Sequence, residues 1–170
     1  MVDVCSFDPV FDSDSCVLIL GTIPSVISRE NNFYYANPKN AFWRIMAEIC
    51  LEKTVPQTID AKKRMLLNNR IALWDVCKAC NVKGSLDSSI KNVEPNDIGS
   101  LINASRIKVI FFNGKKACQL FERHFKYNDI GVPDRICLPS TSPANTTRYE
   151  IKLDEWKKNV TKYLDCFKKG

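Results

Sequence analysis

Short apolar runs alternate along the chain with longer stretches in which apolar residues recur every three or four positions. Four runs, at residues 17–20, 71–74, 109–112 and 135–138, are too short for helices and are flanked by polar or turn residues. They predict buried strands. Phe42, Ile45, Met46 and Ile49 follow the spacing i, i+3, i+4, i+7, with Asn40 standing where an N-cap belongs. Ala117, Leu120, Phe121 and His124 repeat that spacing after Asn113-Gly114 ends the third run. Leu153, Trp156, Val160, Tyr163, Leu164 and Phe167 make the stripe of a C-terminal helix. Its other faces carry Lys157, Lys158, Lys162, Lys168 and Lys169, which read as a solvated surface rather than a grip on DNA. Weaker helical patterns cover residues 59–68 and 97–104.

Alternation of strand and helix predicts parallel strands joined by right-handed crossovers. The expected fold is α/β, a three-layer α/β/α sandwich around a central four-stranded parallel sheet. Ligands of such sheets sit at the carboxyl ends of the strands. Three exits therefore carry the candidate chemistry: residues 21–25, 113–115 and 139–145.

Length and composition narrow the class. A chain of 170 residues fits one domain, taken as residues 1–170, with a core large enough to need no staples. No apolar run approaches the length of a membrane span, and residues 1–11 are neither a signal nor a transit peptide. The expected setting is intracellular, the cytoplasm or, in a eukaryote, the nucleus. Eight cysteines then read as reduced thiols. A net charge of +6 favours a polyanionic partner. No heptad pattern argues for an oligomer, so a monomer is expected.

Common catalytic signatures are missing. The single histidine, His124, lies near a helix end, which leaves no base for a serine triad and no histidine-ligated zinc site. No P-loop and no Gly-x-Gly-x-x-Gly occurs, so no nucleotide cofactor and no metal are expected. Cys77-Lys78-Ala79-Cys80 is one Cys-x-x-Cys without a second close pair; it reads as core packing, with thiol redox chemistry as the alternative.

What remains is chemistry at two exits. Gly21-Thr22-Ile23-Pro24-Ser25 follows the first strand, then Tyr34-Tyr35-Ala36-Asn37-Pro38-Lys39-Asn40-Ala41-Phe42-Trp43. Gly21 permits close backbone approach. Tyr34 and Tyr35 offer a stacking face, and Asn37, held extended by Pro38, offers an amide that donates and accepts. That combination suits a flat, hydrogen-bonding ligand such as a base. Leu138-Pro139-Ser140-Thr141-Ser142-Pro143-Ala144-Asn145 follows the fourth strand, with Arg148 behind it. Small hydroxyl residues in a proline-stiffened loop suit a phosphate, although generic turn chemistry would also produce such a loop.

These segments resemble the uracil-DNA glycosylase superfamily, most nearly its hypoxanthine-DNA (deoxyinosine) glycosylase branch. Around Asn-Pro-x-Asn-x-Phe-Trp the chain is also similar to mismatch-specific G/U glycosylases. Trp74-Asp75-Val76-Cys77 and Gly84-Ser85-Leu86-Asp87 look like the same branch. The resemblance runs from Val17 to Trp156. Two positions depart from the better-known members. Ile23 stands where an Asp or Asn positions the attacking water, and Leu138 where a histidine stabilises the departing base. Both departures point away from efficient uracil excision.

The resemblance implies double-stranded DNA carrying a deaminated base as partner, hypoxanthine favoured over uracil. It shifts the burden of water positioning to Asn37, with Asn40 as the other candidate. Tyr35 would stack on the base; Asp75, Asn113, Gly21 and Ile23 would surround it. Pro24, Ser25, Ser140, Thr141, Ser142 and Arg148 would hold phosphates or wedge into the duplex. For Asp75 and Asn113 a plain turn-forming role is an equal reading. The alternative function is a non-catalytic nucleic-acid binder that keeps the fold.

Overall fold

The computed structural model describes residues 2–82, 90–125, 131 and 134–168. In chain order these form β1 (Val2–Cys5), β2 (Val17–Gly21), α1 (Val26–Glu30), α2 (Phe42–Ile49), α3 (Ile59–Asn68), β3 (Ile71–Asp75), β4 (Cys77–Val82), β5 (Lys91–Pro95), α4 (Ile98–Asn103), β6 (Val109–Asn113), α5 (Lys115–His124), β7 (Asp134–Leu138) and α6 (Tyr149–Lys168). The four expected strands are present, but β7, at the sheet edge, is buried only at Leu138 rather than throughout. They pair in parallel in the order β3-β2-β6-β7.

β2 is buried along its whole length, as its unbroken apolar run requires of a strand covered on both faces. Successive residues feed opposite layers. Val17 and Ile19 pack with Phe42, Met46, Leu66 and Trp156 of α2, α3 and α6. Leu18 and Leu20 pack with Leu101, Leu120 and Phe121 of α4 and α5, and with Val4, Cys80 and Val82. Each large side chain fully buried here contributes roughly 1.5–3 kcal/mol of transfer free energy.

Val4, Cys80 and Val82 belong to a feature the apolar pattern does not announce. β1, β4 and β5 form a second, antiparallel sheet in the order β1-β4-β5. One outer layer is therefore two helices plus this sheet. Its strands escape sequence reading because they are half polar and, in β5, exposed. Cys77 and Cys80 lie in β4 and are buried; burial pushes the Cys80 thiol up, the opposite of an activated redox cysteine.

The start of α2 differs from expectation. Ala41, not Asn40, is the N-cap and has no side-chain acceptor. Asn40 acts from one residue upstream, its Oδ1 accepting from the Phe42 N–H at 3.0 Å. The α6 stripe also starts earlier than Leu153: Lys152, Trp156, Val160 and Leu164 are all buried at four-residue intervals. His124 ends α5, half-buried.

Candidate active site

The ends of β2, β3, β6 and β7 border a cleft of about 130 Å³. Gly21, Ile23, Pro24 and Ser25 line it from the β2 exit, Tyr35, Asn37 and Asn40 from the segment before α2. Asp75 and Asn113 contribute from the ends of β3 and β6, and Ser140, Thr141 and Ser142 from the loop after β7. Arg148 is the one expected residue that does not line the cleft. It is exposed, with its Nε 3.8 Å from Glu150 Oε2. Ser28 and Val82 also line the cleft without having been expected there. Gly84-Ser85-Leu86-Asp87 lies outside the described residues.

The parallel register sets Gly21 beside Asp75. A Cβ on Gly21 would lie 2.5 Å from Asp75 Oδ1 and 2.6 Å from the Tyr35 hydroxyl. Only glycine lets these two groups approach the floor of the cleft together. Asp75 is 3% exposed, and its backbone carbonyl accepts from Asn96 Nδ2 at 2.8 Å.

The two tyrosines part company. Tyr34 is a core anchor: its hydroxyl donates to the carbonyls of Phe7 and Asp8, and its ring meets those of Phe7 and Phe33 edge-on. Burial, reinforced by the nearby Asp75 charge, holds its hydroxyl far above the usual tyrosine range. It lines the cleft too, but at 3% exposure it offers far less ring surface than Tyr35. Tyr35 adopts φ +51°, rare for an aromatic residue, and stacks one ring face on Phe42 with centroids 4.1 Å apart.

Asn37 and Asn40 are each half committed. Asn37 Oδ1 accepts from the Lys39 N–H at 2.9 Å, and Asn40 Oδ1 from that of Phe42. An amide oxygen has two lone pairs, so one remains on each.

Asn113 turns out to be a staple as well as a wall. Its Nδ2 donates to Thr141 Oγ1 and its Oδ1 accepts from the Thr141 N–H, both at 2.9 Å. One amide hydrogen and one lone pair are left over.

The loop after β7 has an uneven hydrogen-bond account. The carbonyls of its first half are taken: Pro139 by Trp156 Nε1 at 2.8 Å, Ser140 by Asn145 Nδ2 at 2.9 Å, Thr141 by the Ala41 N–H at 3.0 Å. Those of Ser142 and Asn145 accept from Lys152 Nζ at 3.2 and 2.7 Å, and that of Ser142 also from the Asn145 N–H at 3.0 Å. The hydroxyls of Ser140, Thr141 and Ser142 accept from the Ser142 N–H, Asn113 Nδ2 and the Ala144 N–H, and donate to nothing among the described residues. The half-buried hydroxyls of Ser140 and Ser142 therefore each keep an O–H donor at the cleft, with that of the fully buried Thr141 behind them, and the carbonyls of residues 140–142 are all engaged. Such a wall suits an anion. Lys152 went unnoticed in the sequence because it is charged; its position four residues before Trp156 was the available signal.

A parallel sheet between two layers with a donor-lined cleft at its strand ends defines an α/β protein whose cleft suits a polar or anionic ligand. Comparison with known proteins narrows the class: the family model for the uracil DNA glycosylase superfamily matches residues 9–165, and the chain belongs to that superfamily. It is 36% identical over 151 residues to a Methanosarcina acetivorans protein named hypoxanthine DNA glycosylase, covering 88% of this chain and 93% of the relative. A Methanosarcina barkeri protein of the same name is 40% identical over 153 residues, with the same coverage. Among solved structures, the solution NMR structure of a candidate uracil DNA glycosylase from M. acetivorans superposes with a TM-score of 0.82. It shares 34% identity, over 96% of this chain and 99% of that one. No helix among the described residues is long and apolar enough to cross a membrane.

Proposed function

We propose that the chain is a monofunctional DNA glycosylase. It hydrolyses the N-glycosidic bond of a deaminated base in duplex DNA, hypoxanthine first and uracil second, as part of base excision repair. The carrying observation is that one cleft gathers the donor wall of residues 140–142, both asparagines and the Tyr35 ring. The two Methanosarcina relatives support hypoxanthine as the substrate. The protein works as a monomer, without cofactor or metal, wherever the genome is held, cytoplasm or nucleus.

The glycosidic bond is inaccessible inside a duplex, so the nucleotide is first extruded, at a cost of a few kcal/mol that is least at a mismatch. The hydroxyls of Ser140 and Ser142 hold its phosphate, backed by the buried Thr141, with Pro24 and Ser25 shaping the opposite rim. Tyr35 stacks on the base with the ring face that Phe42 does not cover. Asp75 and Asn113 read the base edge. A carboxylate accepts from the ring N–H that deamination creates, and the spare amide hydrogen of Asn113 donates to the new carbonyl. Adenine reverses this pattern and is rejected.

Cleavage leaves an oxocarbenium-like sugar and a base anion. The free lone pair of Asn37 Oδ1 orients the attacking water; Asn40 is the other candidate on the same account. An amide is a weak base, so positioning carries the effect, and hydrogen bonds to the departing base supply the rest. Lys39, the amine of this segment, is exposed, which disfavours a Schiff-base route; borohydride trapping would reveal one.

The test is single-turnover excision from labelled duplexes carrying inosine, uracil or normal bases, followed by alkali. Breaks at inosine that require alkali establish the reading. Breaks mainly at uracil reverse the substrate order. A second reading, a binder without chemistry, rests on Ile23, an apolar side chain in the cleft wall where better-known members place a water-positioning group. Folded protein that shifts inosine DNA but makes no abasic site would establish it instead.

A further inference from the structure

Lys152 occupies a costly position. It is 5% exposed and forms no ion pair with a carboxylate among the described residues. It also lies in the first turn of a 20-residue helix, where the macrodipole disfavours a cation. Burying an unpaired charge is expensive, and an apolar residue would continue the stripe of Trp156, Val160 and Leu164 more cheaply. Desolvation accordingly lowers its affinity for the proton. Two carbonyls offset that cost, those of Ser142 and Asn145, both in the loop whose hydroxyls face the cleft.

We propose that Lys152 is a positioning residue for phosphodiester binding: its ammonium draws the carbonyls of Ser142 and Asn145 away from the cleft, so that residues 140–142 present only hydrogen donors to the nucleotide. The cation has a second consequence. Carbonyls engaged by a charge strengthen the hydrogen bonds of the peptide groups joined to them, and the loop carries a positive field with no counter-charge of its own. An incoming phosphate supplies that counter-charge. Lys152 does not touch the substrate; it sets the polarity of the wall that does. The inference rests on the reading of residues 140–142 as the phosphate contact.

The experiment compares wild type with Lys152→Met, Lys152→Arg and Lys158→Met. Methionine keeps the length and fills the same space without charge or donors. Lys158→Met removes one exposed charge from the same helix and serves as the control. Thermal melts and circular dichroism establish that each variant is folded. Single-turnover excision of hypoxanthine across enzyme concentrations separates the half-saturating concentration from the maximal rate. Inhibition by inorganic phosphate reports on the wall directly. In Lys152→Met the half-saturating concentration should rise about ten-fold or more and phosphate inhibition should weaken in parallel, while the maximal rate changes less. Lys152→Arg should recover part of both, and Lys158→Met should match wild type. A folded Lys152→Met with unchanged half-saturation and unchanged phosphate inhibition overturns the proposal, as does an equal effect of Lys158→Met. Should wild type excise no base, the glycosylase reading fails by itself. Binding of a duplex with a tetrahydrofuran abasic site, compared between wild type and Lys152→Met, then still decides the role of Lys152.

Discussion

Residues 139–145 and residues 34–41 line the same cleft but are held in opposite ways. The first loop is posed from outside: Asn113 reaches it from the end of β6, and Lys152 and Trp156 from α6. The second is pinned at its ends, Tyr34 to Phe7 and Asp8, Ala36 to Ser28 and Ala41 to Thr141, while its middle is held from within. Asn37 bonds to Lys39 and Asn40, Asn40 to Phe42, and the Tyr35 ring lies on Phe42. One loop is a fixed platform set by the body of the protein; the other is a self-closed turn carrying polar groups on its own scaffold. The difference divides labour. In the proposed function the platform sets the binding geometry and the turn carries the chemistry, where a short shift of one side chain alters a rate.

The division can be broken by mutation. The largest effect is expected from Trp156→Ala, which empties a fully buried site and frees Pro139; unfolding in denaturant should show a loss of about 3–5 kcal/mol. Less than about 1 kcal/mol would mean the platform does not depend on α6. Asn37→Ala should lower single-turnover excision roughly 10²–10³-fold, or about 2.7–4 kcal/mol in the barrier. Its stability and DNA affinity should stay near wild type. Unchanged turnover would transfer the role to Asn40, and a large loss of stability would contradict a self-held turn. Asn113→Ala strands the buried Thr141 N–H and should cost about 1–3 kcal/mol of stability, accompanied by weaker DNA binding. A loss of rate with affinity preserved would instead make Asn113 a reader of the base. The smallest effect is expected at Arg148→Ala, within about 0.5 kcal/mol in stability, since its ion pair is long and exposed. A drop in affinity for inosine duplex in that variant would establish contact with DNA beyond the cleft.

The same contrast explains what could be read in advance. The turn is legible because its parts follow one another in the chain: Tyr35, Asn37, Asn40 and Phe42 are close in sequence and in space. Three of the parallel strands, β2, β3 and β6, are legible because burial on both faces demands unbroken apolar runs, whereas β7 at the sheet edge shows only a short run closed by Leu138. The platform was legible in its hydroxyls but not in its supports, since nothing local ties Asn113 to Thr141 or Lys152 to Asn145. Tyr34 misled for the same reason. Its partners, the carbonyls of Phe7 and Asp8, come from the segment before β2 and turn a supposed stacking face into core. β4 and β5 stayed hidden because a half-exposed sheet needs few apolar residues.

The tether from α6 has a consequence for the order in which the molecule is made. Synthesis runs from the N-terminus, and the asparagine turn emerges about a hundred residues before Lys152 and Trp156. A nascent chain can close the turn, but it cannot set the wall opposite until α6 has left the ribosome and docked. A segment made well after the asparagine turn thus completes the cleft, and a chain cut short before Lys152 would keep the asparagines while losing the wall that faces them.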